Sequence, residues 1–243
     1  MDRKIHVFWC SDNDLSETRQ ASLKSLIDKS GCKIELVTNK NINKYIIEPF
    51  HEGYKYLSAI HKCDYWKAYF AYFYGCGYSD IKMCQFDWNP YFEQLEANEE
   101  AFMVSYSESG GGGVALRSES AARKINLSEC IIMVRNAHLI PGCGHWIYKK
   151  GTSMAKKWRE VQHKILDDNM DTLKNNPGTY HIGAVKGGVH FRYNNESTAK
   201  FKGSKYPFCW SEFGGMISHE LGYENKEKCI LTMPKPICGD HWK

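Results

Sequence analysis

The chain begins with a strand, a helix and a second strand within about its first forty residues, and that order leaves few folds open to it. Lys4-Ile-His-Val-Phe-Trp9 is a short β-rich run ending in polar Ser11-Asp-Asn-Asp14. Leu15, Leu23, Leu26 and Ile27 then recur at helical spacing until Gly31, and Lys33-Ile-Glu-Leu-Val-Thr38 predicts the second strand. Such a start favours two parallel strands joined by a crossover helix, the opening of a doubly wound α/β sheet. A chain of 243 residues is an ordinary length for one domain of that kind, and its 42% hydrophobic residues suffice for a sizeable core.

Other segments extend the pattern. Ile60 to Tyr74 is an aromatic run of helix length, stopped by Gly75-Cys-Gly77, and Tyr78-Ser-Asp-Ile-Lys-Met83 reads as a strand carrying Asp80. Ala101-Phe-Met-Val-Ser-Tyr106 and Cys130-Ile-Ile-Met-Val134 read as further strands, with Gly110-Gly-Gly-Gly113 between them as a loop able to close over a ligand. Met154, Trp158, Val161 and Ile165 form an apolar stripe flanked by Lys156, Lys157, Arg159 and Lys164, which predicts an amphipathic helix. Beyond about residue 174, glycines and prolines predict an irregular C-terminal third, not a second domain.

Several function classes are disfavoured. A net charge of +4, from 32 basic and 28 acidic residues spread evenly, is no nucleic-acid footprint. No apolar run approaches the roughly 20 residues of a membrane span, and Met1-Asp-Arg-Lys4 leads into a strand rather than a signal segment. The expected compartment is therefore a cytosol, with reduced cysteines and unglycosylated Asn126 and Asn195. The ten cysteines include no Cys-x-x-Cys pair or zinc-type spacing. The glycine tract lacks the Lys-Ser/Thr of a phosphate loop, and no Gly-x-Gly-x-x-Gly follows the first strand. His181 and His190 are read as structural histidines.

The chemistry concentrates between residues 60 and 82. Asp64, Lys67, Ala68 and Ala71 share one helix face, so a carboxylate and an ammonium project beside two small residues. An ordinary surface ion pair gives the same spacing. What distinguishes it is the glycine turn that follows and the acid at the end of the next strand, where α/β sheets present ligand-binding groups.

Asp64, Gly75, Tyr78 and Asp80 stand at the spacing of the Asp-x-Asp sugar-transferase superfamily, roughly Asp-x-x-Arg-x-x-x-Leu-x-x-x-Gly-Gly-x-Tyr-x-Asp-x-Asp, with Lys67 in place of its arginine and Cys76 in place of its second glycine. That superfamily includes capsular-polysaccharide transferases, yeast mannosyltransferases, glucosylating toxins and proteins of large algal viruses. Lys4 to Trp9, Asn136, Pro207 to Glu212 and Gly239 to Trp242 are similar to its outer segments.

The resemblance implies a single-domain GT-A glycosyltransferase, a Rossmann-like α/β fold with a mixed, mainly parallel sheet flanked by helices. Residues 1–100 would bind a nucleotide sugar, most simply a UDP-sugar, and residues 101–243 would form the side facing a glycan or glycoprotein acceptor. Phe8 and Trp9 would border the base, Asp64 and Lys67 would hold sugar hydroxyls or phosphate, Asp80 would sit at the diphosphate, and Tyr78 would be a further donor-binding residue. If the source is a virus, the compartment would be the host cytoplasm.

The departure is Lys82, which replaces the second metal-binding acid. A divalent cation, Mn²⁺ or Mg²⁺, would then need Asp80 together with Asp240 or His241. Alternatively the Lys82 ammonium itself neutralises the diphosphate. Asp87, Glu212 and Asp240 are the candidate acid or base groups, with Glu212 first because it lies between Trp210 and Gly214-Gly215. Two other readings of the same residues are a non-catalytic nucleotide- or glycan-binding module and a nucleotide-sugar hydrolase.

Overall fold

The computed structural model describes residues 1–110, 113–116, 127–178 and 205–237. A six-stranded mixed sheet runs in the order β2-β1-β3-β5-β4-β6. Its strands are β1 (Lys4–Trp9), β2 (Lys33–Thr38), β3 (Cys76–Ser79), β4 (Met103–Ser107), β5 (Pro141–Tyr148) and β6 (Cys229–Ile230). All neighbours pair in parallel except at β5, which runs against both β3 and β4. The expected strand-helix-strand opening is present, with α1 (Glu17–Lys29) between β1 and its parallel partner β2.

Period-two alternation sends neighbouring residues to opposite faces of the sheet. Ile5, Val7, Val104 and Ile147 face α1 and α3 (Asn89–Ala97), where Leu26, Trp88, Phe92 and Leu95 complete one core. Phe8, Tyr78, Met103, Trp146 and Tyr148 face α2 (Ala59–Phe73) and α5 (Ser153–Asp168) in the other. The sheet is thus covered on both sides, as a doubly wound arrangement requires.

α2 is predominantly apolar and mostly buried between His61 and Phe73, with Lys62, Cys63 and Tyr72 partly covered. Ser58 caps its start, accepting from the His61 backbone N–H. The His61 ring ties the helix to the later chain, with Nε2 donating to the Cys209 carbonyl at 2.8 Å and Nδ1 accepting from the Tyr206 hydroxyl at 2.7 Å. The glycine turn is needed twice over. Gly75 has φ of 65°, and a Cβ there would lie 2.6 Å from the Lys150 backbone nitrogen. Cys76 also has φ of 65°, a left-handed conformation that few side chains adopt.

α5 is the expected amphipathic helix, with Met154, Trp158 and Ile165 buried and Thr152 capping it. The structure differs from the sequence reading in five places. Cys130 to Val134 is not a strand but part of α4 (Leu127–Arg135). Its β-branched residues mimic a buried strand, yet Ile131, Ile132 and Val134 are largely exposed while Cys130 is buried. The strand expected over Tyr78 to Met83 is β3, which starts two residues earlier and ends at Ser79. It stops there because the Lys82 N–H turns back to the Asp80 carbonyl at 2.8 Å. Pro141–Tyr148, unassigned by sequence because its glycines resemble a turn, is the central antiparallel strand, and Gly142 is accommodated under the ring of Tyr106. The C-terminal third is not wholly irregular, since it contains α7 (Gly215–Glu224). In α1, Ile27 leaves the expected stripe and is 57% exposed.

The Gly75 environment makes a direct prediction. Gly75→Ala is expected to destabilise the protein by about 2 kcal/mol or more, from left-handed strain plus collision with Lys150 and Tyr148. Gly151 has φ of 75° but nothing within 4 Å of a Cβ, so Gly151→Ala carries only the strain, roughly 1 kcal/mol. Urea denaturation of both variants measures the difference, and equal losses would refute this account of the turn.

Candidate functional site

The carboxyl ends of β1, β2, β3 and β4 lie along one edge of the sheet, because these four strands run the same way. The start of antiparallel β5 reaches that edge too, so that Gly144 accepts from the Asp80 N–H at 2.7 Å. Asp80 lies one residue past β3, at the edge where such sheets bind ligands.

Asp64, Lys67, Asp80 and Lys82 form one ionic chain there. Lys67 Nζ lies 2.9 Å from Asp64 Oδ1 and 3.5 Å from Asp80 Oδ1, and Lys82 Nζ lies 3.2 Å from Asp80 Oδ2. The Tyr78 hydroxyl donates to Asp80 Oδ1 at 2.5 Å, and its ring lies beneath the Lys67 ammonium. Exposure peaks at Asp80, and the Lys82 side chain is only 15% exposed. The Asp64 and Lys67 side chains are buried, whereas Asp80 keeps 28% of its surface in solvent.

The charges are mutually enforced. Burial opposes the ammonium of Lys67, but Asp64 and then Asp80 outweigh it and hold its pKa above the ordinary lysine range. Burial likewise opposes the Asp80 carboxylate. Lys67, Lys82 and the Tyr78 hydroxyl outweigh it and hold that carboxyl well below the usual range. Arg19, in the first turn of α1, donates to the Ile81 carbonyl at 2.8 Å.

The other predicted residues divide. Trp9 ends β1 at this edge, half-buried, its Nε1 donating to the Asn13 carbonyl at 2.8 Å. Phe8 is a core residue packed on Trp66, Phe70 and Tyr78. Asp87 is a turn carboxylate accepting from the Asn89 N–H. Glu212 is 1% exposed and accepts from the Cys209 thiol at 3.1 Å, in the segment that His61 holds against α2. That segment approaches the ionic chain through Gly214, where a Cβ would lie 2.7 Å from Asp64 Oδ2. Asp240 and His241 lie outside the described residues, as do His181, His190, Asn126, Asn195 and part of the glycine tract.

Of the residues expected to hold a divalent cation, the structure describes one. That residue, Asp80, has oxygens that face two ammonium groups and a phenol hydroxyl. No group of three His, Cys, Asp or Glu side chains suited to a metal occurs among the described residues.

Sequence reasoning missed Tyr106, Glu108 and His219. The Tyr106 hydroxyl accepts from the Gly144 N–H at 3.2 Å, and a Cβ on Gly144 would meet Tyr106, Lys82 and Asp80 together. Glu108 follows β4 and is buried, and burial pushes its carboxyl above the ordinary range. His219 accepts from the Ala115 N–H through Nδ1, which leaves Nε2 as the donor, 3.7 Å from Glu108 Oε1. The strand-end rule that selects Asp80 applies equally to Glu108, so a signal existed.

The ionic chain predicts an acid response. The lowered Asp80 value means its contribution is complete above about pH 4 and is lost as pH falls further. Between pH 5 and pH 3 the wild type should lose about 1 kcal/mol more stability than Asp80→Asn, measured from urea midpoints. Parallel acid profiles would contradict the arrangement. No protein-family model, curated protein or solved structure matches this chain at a significant level.

Proposed function

We propose that this chain is a glycosyltransferase of GT-A type that transfers a sugar from a nucleoside-diphosphate donor, most simply a UDP-sugar, to a glycan acceptor, acting in a cytoplasm. The observation that carries this reading is the chain Asp64–Lys67–Asp80–Lys82 at the carboxyl edge of an α/β sheet. Breaking a glycosidic bond to a diphosphate leaves negative charge on the phosphate oxygens, and fixed cations lower the energy of that state. The positive φ of Cys76, where the resembled sequence pattern has glycine, adds support from the backbone.

In this reading Lys82, bonded to the partly exposed Asp80, meets the diphosphate as a point charge. Asp80 is chiefly a positioning group that aims Lys82 and Lys67. Asp64 and Lys67 bind sugar hydroxyls, and the indole of Trp9 lies against the base. One carboxylate, Glu108 beside Tyr106, serves the acceptor side, because Glu212 is 1% exposed and accepts from the Cys209 thiol. Burial raises the Glu108 pKa above the ordinary carboxylate range, the direction that suits a proton acceptor. No step is routed through a metal.

A second reading follows from the same Asp80 geometry. Because its carboxylate is already neutralised by two lysines, the site also suits a module that binds a nucleotide sugar without turning it over.

Thermal-shift titration with UDP- and GDP-sugars tests binding, since a ligand of the native state raises the melting temperature with occupancy. At least one donor should bind, and Lys82→Ala should weaken it about tenfold or more by removing a charge-assisted contact to phosphate. Release of sugar to an acceptor separates the transferase from the binding module. Absence of binding by every donor, or unchanged affinity in Lys82→Ala, would overturn the proposal.

A further inference from the structure

Two cysteines that the ionic site does not use meet across the seam between β1 and α2. Cys10 follows the last residue of β1, Cys63 lies immediately before Asp64 on α2, and their sulfur atoms are 2.8 Å apart. A disulfide bond of about 2.05 Å is within a sub-ångström movement of that position. Both backbones are fixed. The Cys10 carbonyl accepts from Asn39 Nδ2 at 2.7 Å, and Cys63 stands inside a helix whose start is capped by Ser58. The other thiols whose bonds are resolved point to carbonyl oxygens, to Glu212 or to Met216.

Accessibility is divided between the two. Cys10 is 4% exposed, while Cys63 is half-buried and can be reached from solvent. Burial pushes the Cys10 thiol up, with Cys63 acting in the same sense, and the Lys62 ammonium acts against both. Cys63 is therefore the first sulfur that a small oxidant meets, and Cys10 is the resolving thiol behind it.

We propose that Cys10 and Cys63 are a disulfide-forming pair that joins the end of β1 to α2 when the protein meets a small-molecule disulfide such as oxidised glutathione. The Cys63 thiolate attacks one glutathione sulfur, forming a mixed disulfide and releasing one glutathione thiolate. The Cys10 thiolate then attacks the Cys63 sulfur and releases the second. Two protons leave the protein, two electrons end on the glutathione sulfurs, and one sulfur–sulfur bond replaces another. The new bond closes a loop between residues 53 apart in sequence, so it restricts the unfolded chain. It also fastens together the two elements that carry Trp9 and Asp64. This inference stands independently of the transferase reading.

The test uses the native protein incubated with oxidised glutathione, quenched in acid, alkylated and mapped by peptide mass spectrometry. The expected result is one reductant-sensitive cross-link between the Cys10 and Cys63 peptides, with the melting temperature raised by about 5 °C or more. Cys63→Ser should lose both the cross-link and the shift. A Cys63 that carries glutathione without passing to Cys10 would overturn the proposal. So would a Cys10–Cys63 cross-link no more abundant than the random pairs formed by the same chain oxidised in urea.

Discussion

An ammonium group inside a protein persists only where carboxylates replace the water it has lost, and Lys67 is such a group. It is 8% exposed, and the side chains that answer it come from two different elements, Asp64 on its own helix and Asp80 beyond β3. The position of α2 against the sheet, the tight turn at Gly75 and Cys76, and the abrupt end of β3 all bear on that one contact. A longer turn or a continuing strand would carry Asp80 away from Lys67 and leave a buried charge without its partner. Such a loss costs roughly 3–5 kcal/mol in comparable buried pairs.

The reversed strand gives this edge its second half. A parallel strand beside β3 would have presented its carboxyl end here. Antiparallel β5 instead brings its start, where Gly144 bonds to Asp80 and the Tyr106 hydroxyl. Through β4, the same reversal places Glu108 on this side, and α7 adds His219. The acidic and hydroxyl groups at the end of β4 therefore share this edge with Lys82, whose Nζ would meet a Cβ on Gly144 together with the Tyr106 hydroxyl.

Much of this was legible in the sequence, for identifiable reasons. β1, α1, β2 and α2 follow strong local patterns, and Asp64, Lys67, Asp80 and Lys82 lie close enough in sequence for helix and strand spacing to bring them together. β5 was not legible because its glycines serve Tyr106, a residue on another strand, and no local signal reports that packing. The run at Ile131 and Ile132 misled in the opposite direction, since β-branched residues on a half-exposed helix look like a strand. Glu212 looked available beside its glycines. Its burial depends on His61 and Cys209, which the sequence places far from each other.

The central claim is that Lys67 couples Asp64 to Asp80, and a double-mutant cycle measures that coupling. Stabilities of the wild type, Asp64→Asn, Asp80→Asn and the double variant give an interaction energy free of each single variant's other effects. The geometry predicts a coupling of about 1 kcal/mol or more between the two carboxylates, abolished in a Lys67→Met background. Additive effects, or a coupling that survives the loss of Lys67, would contradict it.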